Sequence, residues 1–175
     1  MLGHFNKKGS NVSLLYNKIL LLSRNKFFYL DLGLNDSFQN RIYLIFLHIS
    51  FLLVKLKNTN TNTEHKKFYQ KTFDYIFSRI EIDMREIGYG DLSVNKKMKI
   101  LVKDFYNILL NCEKYKNSNI GNKERLFTKF LNFEHTKKTN NYKDMILYFD
   151  EYSSFCWDLS MDSVLKGELN FKYLK

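Results

Sequence analysis

The sequence predicts an all-α domain. Three observations carry that expectation: apolar residues recur at spacings of three and four over long stretches, no run alternates with period two between turn signals, and Pro is absent from all 175 residues. Missing Pro also argues against collagen, polyproline linkers and turn-rich β-sandwiches. Ala is absent too, so the helices must rely on Leu, Lys, Glu, Met and tertiary packing instead of the residue with the highest helix propensity. One hydrophobic core suffices at this length. The expected organisation is a flexible basic tail over residues 1–12, then a single compact domain of about six helices over residues 13–175.

From Ser13 the pattern is helical, with Leu14, Leu15, Ile19 and Leu22 on one face. The stretch Phe27-Phe28-Tyr29-Leu30-Asp31-Leu32-Gly33-Leu34 is aromatic and irregular, and Asn35-Asp36-Ser37 can cap the next helix. A second helix, about Asp36 to Lys57, is apolar on most faces and reads as a central helix packed on several sides. Its apolar run from Ile42 to Val54 is 13 residues long and contains His48 and Ser50. Spanning a bilayer takes about 18 or more apolar residues, so burial is the expected fate.

An Asn/Thr linker over residues 58–63 separates it from a third helix, about Glu64 to Ile87. There Tyr69, Phe73, Ile76, Phe77, Ile80, Met84 and Ile87 face the core, while Asp74, Arg79, Asp83, Arg85 and Glu86 stay off that stripe. Gly88 suits the C-terminal cap, and Gly88-Tyr89-Gly90-Asp91-Leu92-Ser93 makes a tight turn. Ser93 is the expected N-cap of a fourth helix to Lys116, with Val94, Met98, Leu101, Phe105, Leu109 and Cys112 inward. A fifth helix is expected over Lys123 to Phe133 and a sixth over Tyr142 to Asp158, before a tail containing Leu165-Lys166-Gly167.

No catalytic signature rises from this pattern. The four His and two Cys are scattered, without the spacing of a zinc site, and no cofactor is expected. Gly88-Tyr89-Gly90 follows a helix and lacks a Gly-Lys-Ser/Thr ending, so it reads as a cap and not as a phosphate loop. Glu81 and Arg85, four residues apart, read as an ion pair, and His48 as a core histidine bonded to a carbonyl. Cys112 and Cys156 suit small buried hydrophobes in a reducing compartment.

Charge is more informative. The chain carries 28 Lys+Arg against 18 Asp+Glu, a formal net charge of +10, although its surplus of Lys, Asn, Phe, Tyr and Ile also fits the codon bias of an AT-rich genome. Lys96, Lys99 and Lys103, with Lys97 nearby, form a basic ridge on the fourth helix that reads either as a solvated face or as a seat for RNA, acidic protein or anionic lipid. The abundant aromatics fall at core spacing instead of forming a stacking platform. Residues 1–30 hold Lys7, Lys8, Lys18, Arg24 and Lys26 and no acid. Mitochondrial transit peptides share that balance, but a basic tail leading into the first helix is the expected reading.

The run Asp83-Met84-Arg85-Glu86-Ile87-Gly88-Tyr89-Gly90-Asp91-Leu92-Ser93-Val94-Asn95-Lys96-Lys97-Met98-Lys99, with Phe73-Asp74 before it and Phe105-Tyr106 after it, resembles the ubiquinol–cytochrome c chaperone family. Phe38-Gln39-Asn40-Arg41 followed by Leu44, Leu47 and His48 is similar to the family's long apolar helix, and weaker likeness extends over residues 13–172. The departures are compositional: Asn, Lys, Phe or Ile stand where relatives often have Ala, and Asn95 replaces an expected Pro or Gly.

The resemblance implies a non-enzymatic assembly factor for respiratory complex III that binds newly made cytochrome b. It further implies a small helper subunit, proximity to the ribosome, and peripheral placement on the cytoplasmic face of the inner membrane, or on the matrix side in a eukaryote. It carries no catalytic residues. The expected partner-facing surface is the turn and the basic start of the fourth helix: Arg85, Tyr89, Asp91, Lys96, Lys97 and Lys99. For Arg85 and Asp91, tying the turn to its neighbours is an equal alternative. A basic helical RNA- or ribosome-binding protein with no membrane-protein client is the competing expectation.

Overall fold

Ser10 opens the first helix by accepting a hydrogen bond from the Ser13 N–H at 3.3 Å, and α1 runs Asn11–Ser23. The computed structural model describes residues 10–59, 63–134 and 141–173. The tail expected over residues 1–12 therefore lies mostly outside the described residues, and its last two positions are already helical, with Val12 buried. Leu15 and Ile19 face inward as expected, but Leu14 is 48% exposed.

One π-helical turn, Phe27–Asp31, packs Phe27 and Phe28 inward and leads to the second helix. Ser37 caps α2, Phe38–Asn58, by accepting from the Asn40 N–H. Then come α3 over Thr63–Glu86 and α4 over Asp91–Lys114, the latter continued by a short 3₁₀ turn, Tyr115–Asn117. They are followed by α5 over Ile120–Phe130, α6 over Asn141–Asp158 and α7 over Met161–Leu165. There are thus seven α-helices among the described residues. The short α7, capped by Ser160, occupies a stretch expected to be tail.

Two other boundaries differ for identifiable reasons. The fifth helix starts at Ile120 because Asn119 caps it, its Oδ1 accepting from the Asn122 N–H at 2.9 Å. It ends at Phe130, three residues short of the expected Phe133, because the chain there turns extended and pairs with the entry to α2. Asn35 N–H donates to the Asn132 carbonyl at 3.0 Å and Glu134 N–H to the Gly33 carbonyl at 2.8 Å, flanking an isolated Leu34–Phe133 bridge. Buried Asn40 locks this junction. Its Nδ2 donates to the carbonyls of Asn35 (2.7 Å) and Asn132 (2.8 Å), and its Oδ1 accepts from the Asn132 N–H (2.9 Å).

Every residue from Ile42 to Leu56 is buried, and α2 packs against α1, α3, α4 and α6. By length and composition this helix would suffice to cross a membrane, but 89% of its apolar window is buried by the protein's own elements, as a core helix requires. Large aromatics fill the space beside it. Phe105 packs edge-on to Phe46 and Phe77, with Phe73 adjacent, where α2, α3 and α4 meet. Toward α6, Phe51 and Phe149 stack beside Tyr152 and Phe28. Such ring pairs add about 0.5–1.5 kcal/mol each beyond buried area, which offsets the missing Ala.

Among the buried polar side chains, His48 is satisfied at both ring nitrogens. Its Nδ1 lies 2.6 Å from the Leu44 carbonyl and its Nε2 lies 2.8 Å from the Tyr148 hydroxyl, the carbonyl-bonded core histidine expected from sequence. Burial pushes its pKa down to about 4, against the smaller upward pull of the Leu44 carbonyl. The Lys55 ammonium donates to the Trp157 carbonyl at the foot of α6. Cys112 and Cys156 are free and buried, and burial raises both thiols.

Candidate functional site

The turn between α3 and α4 is built from backbone first. Gly88 N–H donates to the Arg85 carbonyl and Tyr89 N–H to the Met84 carbonyl, both at 3.0 Å, with Gly88 at φ +96°. This is a Schellman closure, and its left-handed position is why the chain needs Gly there. The motif ends α3 at Glu86, so Ile87, expected in the core, lies past the helix and is 56% exposed.

Gly90, not Ser93, is the N-cap of α4, and it offers no side-chain cap bond. Starting the helix three residues earlier places Asp91 in the first turn, where a carboxylate favours the helix dipole. Arg85 reaches across to bond Asp91 and also pairs with Glu81 at 2.9 Å. Bonding to Glu81 first and Asp91 second holds the guanidinium above its ordinary pKa. The pair ties the turn to α3, one of its two expected roles, and both side chains remain exposed.

The six expected partner-facing residues divide into groups. Arg85, Tyr89 and Asp91 stand on the turn, and Lys97 joins them, its Nζ 5.0 Å from the centroid of the Tyr89 ring. Lys96 and Lys99 are exposed on the outward face of α4 with Lys103, opposite the stripe of Val94, Leu101, Phe105 and Leu109. Helical geometry explains the split: at 100° per residue Lys97 falls on the flank nearest Ile100 and Leu101, while Lys96 and Lys99 point away from the bundle.

On the flank that Lys97 guards lies an apolar cleft of about 360 Å³. Phe38 and Ile42 of α2, Met84 of α3, Tyr89 of the turn and Ile100 and Leu101 of α4 line it, with Ser37, Gln39 and Lys97 as the polar rim. Sequence reasoning named the turn but not this cleft. Half-exposed Ile100 lies off the inward stripe, and the α2 entry reaches the site only through tertiary packing. Beneath the rim, Gln39 donates to the Tyr43 hydroxyl at 2.6 Å, and that hydroxyl donates to Asp104 at 2.8 Å. Burial, then the bond to Asp104, pushes the Tyr43 pKa up to about 12, which keeps it a neutral donor.

The charges around the cleft are unequal. Arg41 is paired with Asp36 at 2.6 Å, and Arg85 is taken by Glu81 and Asp91. Lys96, Lys97 and Lys99 make no ion pair among the described residues. The rim is therefore positive.

Fold and cleft together define the class: an all-α domain that presents an apolar recess with Lys97 on its polar rim and further lysines on the outer face of the same helix. The chain belongs to the ubiquinol–cytochrome c chaperone family, whose model matches residues 30–132, more than half of the sequence and the whole of the cleft. Its fold is similar to that in the crystal structure of the Cbp3 homolog from Brucella abortus, with a TM-score of 0.78 and 20% sequence identity over 93% of this chain and 89% of that one. No curated protein matches the sequence.

Proposed function

We propose that the protein is a non-enzymatic assembly factor that binds newly made cytochrome b and assists biogenesis of ubiquinol–cytochrome c reductase, with the α3–α4 turn and its cleft as the client-facing surface. The observation that carries this reading is the apolar cleft with the unpaired Lys97 on its rim, formed by residues that all lie inside the family match. A holding chaperone must mask apolar surface and release it, which calls for a recess with half-exposed walls. Ile100 is 50% exposed and Tyr89 36%.

On this reading the protein works peripherally at the inner membrane, on the cytoplasmic face in a bacterium or the matrix face in a mitochondrion. The outward lysines of α4 face anionic headgroups or the ribosome there, and a small helper subunit shares the work. Purifying the tagged protein from gently solubilised membranes tests the client. Cytochrome b should be enriched over other abundant membrane proteins. Recovery of ribosomal RNA without cytochrome b would favour an RNA-binding role instead.

A further inference from the structure

We infer that the cleft selects apolar client segments that end in carboxylates, and that Lys97 is the residue that reads that charge; this rests on the proposed client-binding role. The floor of the cleft is uncharged, with Phe38, Ile42, Met84 and Leu101 below and Ile100 at its lip, so only apolar side chains fill it without an unpaired polar group. At about 360 Å³ it falls within the about 300–1,000 Å³ of pockets that enclose small ligands, so it takes a few side chains and not a whole span.

The rim decides which segments fit. Lys97 lines the cleft, lies over the Tyr89 ring and has no carboxylate partner among the described residues. The nearby arginines are already paired, and Lys97 is the one cation among the described residues that line the cleft. The groove on the other side of Phe38 and Ile42 is a contrast, since its lining holds Arg24 and Arg41 together with Asp83 and Glu86, two charges of each sign. Of these two grooves, the one on the α4 side is lined by a cation without an acid in its lining. An apolar segment with Asp or Glu at its end meets complementary charge there, and one with Lys or Arg meets repulsion.

The same preference has a physical use at a membrane. Segments flanked by Lys or Arg are held by anionic headgroups, while acid-flanked ends are not, so the latter gain most from a protein holder.

Fluorescence anisotropy of the full chain tests this with two synthetic dye-labelled peptides that share one apolar helix-forming core, one ending in Glu-Glu and the other in Lys-Lys. The acidic peptide is expected to bind about tenfold tighter at about 0.1 M salt. Lys97→Glu should erase that preference and Lys97→Gln reduce it. Ile100→Asp, with wild-type helicity confirmed by circular dichroism, should weaken the acidic peptide. Equal affinities, a preference that survives Lys97→Glu, or no binding of either peptide would each overturn the inference. Recovery of cytochrome b without any peptide preference would overturn this inference alone. A peptide preference with no recovery of cytochrome b would overturn the proposed client and leave the charge rule standing.

Discussion

Arg85 in the last turn of α3 grips Asp91 in the first turn of α4, across a turn whose middle residue, Gly88, sits at φ +96°. The backbone closure and the ion pair hold the same corner by different means, and their consequences differ. Gly88 has open space where a Cβ would go, so Gly88→Ala costs only the left-handed conformation, about 1 kcal/mol. A Tm lowered by about 2–4 °C is the expected readout. Arg85→Ala removes two exposed ion pairs, to Glu81 and Asp91, and should leave Tm nearly unchanged, while amide exchange across residues 87–92 quickens.

Gly167 is the harsher case. It also has positive φ, +73°, but a Cβ there would run into the Asn11 carbonyl at the start of α1. Gly167→Ala should therefore destabilise by more than Gly88→Ala, because either the C-terminal segment or α1 has to shift. Parallel thermal melts of the two variants check the order.

Asn40 clamps α2 to the strand-like segment after α5. Asn40→Ala would leave the Asn132 N–H without its partner at a buried junction, while the Asn35 carbonyl keeps the Ser37 N–H, at a cost of about 1–3 kcal/mol. Chemical denaturation should show a lower midpoint with an unchanged slope, since the same surface unfolds.

His48 makes stability depend on pH. Its folded pKa, about 4, lies below the unfolded value of 6.5, so the unfolded chain takes up the proton first as pH falls. Its contribution is complete above about pH 6.5 and is lost progressively toward pH 4. Between pH 7 and 5 that is about 2 kcal/mol. Denaturation at the two pH values should show this loss in the parent protein, and His48→Gln should remove it whatever its own stability.

Phe105 touches Phe46, Phe73 and Phe77 and is fully buried. Phe105→Ala should cost about 3–5 kcal/mol through lost burial and the cavity left behind. That would be a large share of the margin of an ordinary domain, visible as a fall of many degrees in Tm.

Periodicity made the helices legible because α3, α4 and α6 each bury a stripe that recurs every three or four residues, while α2 is apolar on nearly all faces and buried throughout. The ends were harder to read. Ser93 and Gly90 both offer a start for α4, and only the Schellman closure at Gly88 and the reach of Arg85 favour the earlier one. The early stop of α5 depends on pairing with residues about a hundred positions away, and no local signal announces it.

The candidate site was legible in the same uneven way. The Gly88–Asp91 turn and the lysines after it stand out in the sequence, and helical spacing already sets Lys97 apart from Lys96 and Lys99, but that Lys97 borders a cleft depends on the position of α2 beside α4. Phe38, Gln39 and Ile42 join the cleft only because the helix they begin lies against the α3–α4 corner.

If this chain assists assembly of the complex containing cytochrome b, its loss must show in the membranes themselves. The most direct test is the reduced-minus-oxidised absorbance difference spectrum of membranes from cells lacking the protein. The cytochrome b signal should fall sharply while other respiratory haems persist, and the parent chain should restore it. An undiminished cytochrome b signal in those membranes would contradict the proposed role.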